Sequence, residues 1–242
     1  MIFYSILAAL VISGLIMGYL QIIHFGNLTK GKVLSIVIII FAILILVGIG
    51  HYLGWITQTL AAKFTMGIYT IFTGFFMGSG IQNIVTRKKA GDIEYVYRSF
   101  ATEILPNLMA VVIVAYGFYR TYLMTDQFIT GISITSGFSL VGFGFYGWTL
   151  RVVPEFRKHG VLLLDRFIPW EKVIAYEWQT EDALTLDYVI EDNVISDFTT
   201  SIPPEDQLDM ERLLNRKIKE HKSDTDLNIP TNNHEHEIPG DF

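Results

Sequence analysis

Four cations that follow the last long apolar stretch are the side chains best suited to bind an anionic ligand. They are Arg157, Lys158, Arg166 and Lys172. Clusters of Lys and Arg at a membrane surface bind anionic lipid headgroups. The alternative is that Arg151, Arg157 and Lys158 only anchor the chain at the cytoplasmic side of a membrane. We favour the anchor and a protein partner, because residues 151–220 contain 15 acidic and 9 basic residues.

The sequence shows no arrangement of residues that indicates catalysis. It contains no cysteine, which excludes disulfides, thiolate zinc sites and a cysteine nucleophile. It also lacks a phosphate-binding glycine loop, an HExxH pair and a Gly-x-Ser-x-Gly turn. The run His234-Glu235-His236-Glu237 could chelate a metal weakly, but a solvated tail explains it better. We therefore predict no enzyme, no cofactor and no metal site.

Composition indicates a membrane protein and excludes a nucleic-acid partner. Hydrophobic residues make up 51% of the chain and charged residues 17%. The formal net charge is -6, whereas nucleic-acid binding needs clustered cations that displace phosphate counterions. We therefore expect the lipid bilayer to be the environment of much of the chain.

Five apolar stretches are long enough to cross a bilayer as helices. A hydrocarbon core of roughly 30 Å needs about 20 apolar residues, and a helix pairs every backbone polar group internally. We predict transmembrane helices at about 2–23, 33–55, 64–85, 104–123 and 128–150. Residues 1–150 would then form a membrane-embedded helical bundle.

Lysines and arginines outside these stretches predict the orientation, because positively charged loops are retained in the cytoplasm. The predicted inner segments carry Lys30, Lys32, Arg87, Lys88, Lys89, Arg98, Arg151, Arg157 and Lys158. The predicted outer loops carry only Lys63 and Arg120. We therefore expect a multi-pass protein of the cell membrane, with its N-terminus outside and its C-terminus in the cytoplasm.

Small residues recur at four-residue spacing within the predicted helices. The pairs are Gly14 and Gly18, Gly50 and Gly54, Gly74 and Gly78, and Ser133 and Gly137. Such pairs let two helix backbones approach closely within a membrane. We interpret them as contacts inside one bundle, with a homo-oligomer interface or a substrate groove as alternatives. The oligomeric state stays open.

The pattern beyond Pro154 changes from long apolar runs to short alternating ones. Residues 173–179 and 183–190 alternate with period two, which is typical of half-buried strands, and a third strand is expected at 194–201. A helix follows, with an apolar stripe formed by Met210, Leu213, Leu214 and Ile218.

These elements predict a small cytoplasmic α+β domain at residues 154–220. We expect an antiparallel meander or partial barrel that is covered by the C-terminal helix. Residues 221–242 are polar and acidic, so we expect them to be a disordered tail.

The run Pro169-Trp170-Glu171-Lys172-Val173-Ile174, followed by Tyr176 and Trp178, resembles uncharacterised bacterial membrane proteins. The C-terminal module of those proteins looks like a small pleckstrin-homology-like barrel, and their function is largely unassigned. The resemblance covers about residues 154–220, where four or five strands are apparent. It therefore implies a partial pleckstrin-homology-like barrel. The complete set of candidate interaction residues is Arg157, Lys158, Arg166, Pro169, Trp170, Glu171, Lys172, Tyr176 and Trp178.

The favoured hypothesis is a non-enzymatic scaffold or regulator that acts through its cytoplasmic domain. That domain would bind another protein, or it would dock on the helical body at the basic inner loop 87–103. The alternative is a small transporter or channel with a regulatory cytoplasmic domain. Transport needs polar groups inside the bilayer, and the candidates His51, Gln82 and Asn83 lie near predicted span ends. We interpret them as interfacial residues.

Overall fold

The computed structural model describes residues 2–22, 30–124, 127–189 and 195–225. The chain divides into two compact units on either side of the bond between Phe167 and Ile168. This division lies within the range 154–220 that the sequence predicts as one domain. The predicted tail beyond residue 225 lies outside the described residues.

Helices occupy all five of the predicted apolar stretches. They are α1 (Ile2–Tyr19), α2 (Lys30–Tyr52), α3 (Gln58–Ala90), α4 (Leu105–Arg120) and α5 (Gly131–Thr149). Three helical segments of the described chain are long and apolar enough to cross a membrane, namely Ile2–Tyr19, Gln58–Ala90 and Phe100–Arg120. The last of these joins a π-helical turn, Phe100–Ile104, to α4. The chain therefore has helices suited to a membrane, and the number of five spans stays a prediction.

Residues at the helix ends satisfy backbone groups that the helices leave unpaired. Thr57 precedes α3, and its hydroxyl oxygen accepts a hydrogen bond of 3.3 Å from the backbone N–H of Leu60. Gly91 follows α3 with a φ of 81°, which glycine adopts without a steric penalty. Thr130 and Ser133 form a capping box at the start of α5.

Glycine contacts join α1 to α3. A Cβ added to Gly14 or Gly18 would lie closer than 3.0 Å to the backbone of α3. A Cβ added to Gly74 or Gly78 would approach the backbone of α1 equally closely. Two of the predicted small-residue pairs therefore pack against each other inside one chain. This close approach is the kind of contact by which helices associate in lipid.

The other two pairs have different outcomes. Gly137 of α5 packs against Gly117 of α4. A Cβ added to Gly137 would lie 2.6 Å from the Gly117 carbonyl oxygen. Gly54 lies beyond the end of α2 with a φ of 76°, and nothing lies within 4 Å of an added Cβ. The interpretation of Gly50 and Gly54 as a packing pair was therefore wrong for Gly54, which is a turn residue.

The first unit also contains most of a four-stranded sheet. Its strands, in their spatial order, are β1 (Ile93–Tyr95), β2 (Arg151–Arg157), β3 (Gly160–Leu164) and β4 (Arg166–Pro169). The pairs β1–β2 and β2–β3 are antiparallel. Part of the predicted inner loop 87–103 is therefore a strand, which the sequence did not predict.

The second unit is an antiparallel sheet that ends in a helix. A 3-10 turn (Trp170–Lys172) leads into β5 (Val173–Trp178), β6 (Ala183–Val189) and β7 (Ile195–Ser201), with β6 in the centre. Helix α6 (Gln207–Thr225) packs on β5 and on the 3-10 turn. It extends past residue 220, where the sequence placed the start of the tail.

The core of this unit follows the predicted alternation in β6, but the prediction was wrong at the start of β5. Val173 is buried there and Ile174 is exposed, because the strand register shifts between Val173 and Ala175. Leu184 and Leu186 of β6 are 0% exposed, and so is Leu214 of α6. Tyr176 lies directly opposite Leu186, and Trp178 directly opposite Leu184. Within the described residues, the strands form two sheets rather than one closed barrel.

Candidate functional site

The nine candidate interaction residues divide between the two units. Arg157 ends β2, Lys158 lies in the turn after it, and Arg166 begins β4. These three belong to the first unit. The second unit contains Pro169, Trp170, Glu171, Lys172, Tyr176 and Trp178.

Three of the six candidates in the second unit contribute to its core. Trp170 is 1% exposed, while Tyr176 and Trp178 are half-buried beside the leucines of β6. Only Glu171 and Lys172 present charged groups to solvent. The most specific part of the sequence pattern is therefore mainly structural.

Arg157 is held inside the first unit. Its Nε and Nη2 donate hydrogen bonds of 2.8 and 2.5 Å to Glu155 Oε2, and its Nη1 donates one of 2.7 Å to the carbonyl oxygen of Gly91. Nε of Arg151 lies 2.8 Å from Glu155 Oε1. Glu155 is only 4% exposed. A buried carboxylate flanked by two arginines therefore connects β2 to the end of α3.

Further hydrogen bonds extend this connection across three helices. The guanidinium of Arg87 donates to the carbonyl oxygen of Thr149, and Nδ2 of Asn83 donates to the Thr149 hydroxyl at 3.2 Å. Nε2 of Gln21 lies 3.4 Å from Asn83 Oδ1 and 3.3 Å from the carbonyl oxygen of Asp165. We define the polar network as Gln21, Asn83, Arg87, Thr149, Arg151, Glu155 and Arg157.

Two openings in the first unit lie along α4 and α5. A polar pocket of about 90 Å³ is lined by the start of α4 and by β2, including Asn107 and Arg151. An apolar groove of about 340 Å³ runs between α3, α4 and α5, and Val111 and Trp148 are among its lining residues.

The second unit carries an acidic surface on the side of its sheet away from the leucine core. Asp187 of β6 lies directly opposite Asp197 of β7. Glu177 of β5 is diagonal to Asp187, because its direct partner is Thr185. We call Glu177, Asp187 and Asp197 the acidic face. Like charges that lie directly opposite each other destabilise a sheet.

Comparison with known families identifies one segment of the chain. Residues 153–219 match a family model described as Domain of unknown function (DUF5673). No curated protein and no solved structure matches the chain. The DUF5673 segment runs from β2 into α6, so it contains the nine candidate residues and the acidic face. Its limits agree closely with the extent of the resemblance at about 154–220.

The polar network is the feature of the first unit that the sequence did not reveal. Asn83 was interpreted as interfacial and Arg87 as a cation of the inner loop, and Glu155 of the DUF5673 segment received no role. The available signal was Glu155 itself, which lies four residues after one arginine and two before another. The contacts that its partner Arg157 makes with the end of α3 could not be inferred, because they join residues far apart in the chain.

Proposed function

We propose that this chain is a non-enzymatic scaffold or regulator that is anchored in a membrane and binds a cationic segment of another protein. Its three apolar helical segments support the membrane anchor. We further propose a cell-membrane location, with the N-terminus outside and the DUF5673 segment in the cytoplasm as a partial pleckstrin-homology-like module. The positions of the lysines and arginines support this orientation.

The acidic face is the observation that carries the proposed binding function. The opposition of Asp187 and Asp197 costs stability, typically a few tenths of a kcal/mol to about 1 kcal/mol. A cationic partner would remove that repulsion and gain attraction from three carboxylates. Electrostatic complementarity of this kind speeds association and selects partners.

Part of the chain's own inner loop is already engaged within the first unit, which supports a separate protein as the partner of the acidic face. Arg87 of that loop already binds the carbonyl oxygen of Thr149. Residues Ile93–Tyr95 of the loop already pair with β2. These groups are therefore engaged within the first unit.

Asp197→Asn should stabilise the second unit, because it removes the like-charge opposition to Asp187. We expect the free energy of the local opening that exposes the β6 amides to rise by about 0.2–1 kcal/mol. Hydrogen exchange of the β6 amides in the full chain measures this quantity. Glu181→Gln removes the same charge from the turn before β6 and should leave β6 exchange unchanged. A decrease in β6 protection in the Asp197 variant would contradict the electrostatic interpretation.

Photo-crosslinking from two exposed positions tests the function itself. A photoreactive residue replaces Thr199 beside the acidic face, or Arg212 on α6 as the control. In native membranes we expect position 199 to give a defined adduct with another protein. The adduct should weaken severalfold in the Asp187→Asn, Asp197→Asn double variant and with rising salt. Equal adducts from both positions, or insensitivity to charge, would refute the proposal.

A further inference from the structure

The apolar groove of the first unit lies between α3, α4 and α5, and the segments that contain α3 and α4 are suited to a membrane. Ala110, Val111 and Val114 of α4 form one wall, and Gly144 and Trp148 of α5 form another. All of the lining residues are apolar or glycine. Apolar surface of this kind, on helices long enough to span a bilayer, is matched by lipid hydrocarbon.

The polar pocket lies close to the groove along α4 and α5. Asn107 lines the pocket, while Ala110, Val111 and Val114 line the groove. These positions are spaced i, i+3, i+4 and i+7, so they lie on one face of α4. On the α5 side, Trp148 lines the groove and Arg151, three residues on, lines the pocket. Pocket and groove are therefore neighbours on one face of α4, with Asn107 and Ala110 only about 5 Å apart along the helix axis.

The charge of the pocket favours an anion. Three arginines and two glutamates line it, namely Arg98, Arg151, Arg157, Glu103 and Glu155. Arg87 does not line the pocket, but it is next to Arg157, whose Nη1 lies 3.3 Å from the Arg87 carbonyl oxygen. Arg98 is only loosely paired, since its Nη1 lies 3.7 Å from Glu103 Oε1 and its side chain is 60% exposed. A ligand phosphate can therefore reach its guanidinium.

We propose that this site binds one anionic phospholipid, with its phosphate in the polar pocket and one acyl chain in the apolar groove. The two halves of the site match the two halves of such a molecule. Juxtamembrane arginines attract anionic lipids, whereas a zwitterionic lipid brings no net charge to the pocket. The site lies wholly within the first unit and does not depend on the acidic face.

Native mass spectrometry of the full chain in detergent tests the proposal, with phosphatidylglycerol and phosphatidylcholine of matched acyl chains as probes. We expect severalfold greater retention of phosphatidylglycerol. Arg98→Gln should reduce that retention severalfold and leave phosphatidylcholine unchanged. Val111→Trp should fill the groove and reduce the retention of both lipids. Val111 is 60% exposed, so the larger ring can be accommodated at the surface of α4.

Two matched variants separate the site from general effects. Lys89→Gln removes an exposed cation from the end of α3, and Val112→Trp adds the same ring at a 53% exposed position beside the groove. Both should bind lipid like the unmodified chain. Equal retention of the two lipids, or equal losses in the Arg98 and Lys89 variants, would overturn the proposal. Complete displacement of phosphatidylglycerol by inorganic phosphate would also overturn it, since the acyl chain would then contribute nothing. The Arg98 comparison decides the question even if the Val111 variant does not fold.

Discussion

Gly18→Leu is expected to prevent α1 from packing on α3. Even a Cβ at this position would overlap the carbonyl oxygen of Phe75, and backbone atoms cannot move aside as a flexible side chain can. Extra methylenes in a packed interior typically cost about 1–3 kcal/mol. A clash with backbone should exceed that range, and we expect a loss of more than about 4 kcal/mol. Size-exclusion chromatography of the heated, detergent-solubilised chain measures the loss of folded protein.

Gly48→Leu is the matched control for this change. Gly48 lies in α2, and nothing lies within 4 Å of a Cβ added there. The same substitution should therefore leave the melting temperature almost unchanged. Equal melting temperatures of the two variants would contradict the proposal that Gly18 is needed for α1 to pack on α3.

Glu155→Gln should produce the second large effect. The substitution removes the one carboxylate that Arg151 and Arg157 share, and leaves their charges uncompensated in a buried site. Loss of one partner of a buried ion pair typically costs about 3–5 kcal/mol. We expect thermal unfolding of the full chain in detergent to show a loss of this size.

Glu103→Gln makes the same chemical change in an exposed ion pair. Its carboxylate lies 3.7 Å from Arg98, and the two side chains are 40% and 60% exposed. Such pairs contribute less than about 1 kcal/mol, because water screens them. A loss in the Glu155 variant no greater than in the Glu103 variant would show that the polar network does not hold the first unit together.

Features that depend on local pattern could be predicted from the sequence. The period-two alternation of β5 and β6 needs only neighbouring residues, and the structure places Leu184 and Leu186 in the core as expected. The helical nature of each apolar stretch is local in the same sense. Spacing alone was sufficient for Gly14 and Gly18, because they lie inside a regular helix.

Features that depend on distant residues could not be predicted. Strand β1 is three residues long and shows no period, and its partner Arg157 lies more than sixty residues away. Glu155 looked like an ordinary charge because the contacts that its partner Arg157 makes at the end of α3 are equally remote. Gly54 shows the limit of spacing, since its positive φ, rather than its distance from Gly50, determines its role.

The hydrogen bonds of Gln21 also bear on how the protein is made. The side-chain amide of Gln21 donates a hydrogen bond to the carbonyl oxygen of Asp165, which lies 144 positions later in the chain. At roughly 5–20 residues per second, translation takes roughly 7–30 s to cover that distance. Helix α1 therefore leaves the ribosome long before this partner exists, and Asn83 and Thr149 also appear only in the interval. The hydrogen bond between Gln21 and Asp165 can consequently form only after β3 has been translated.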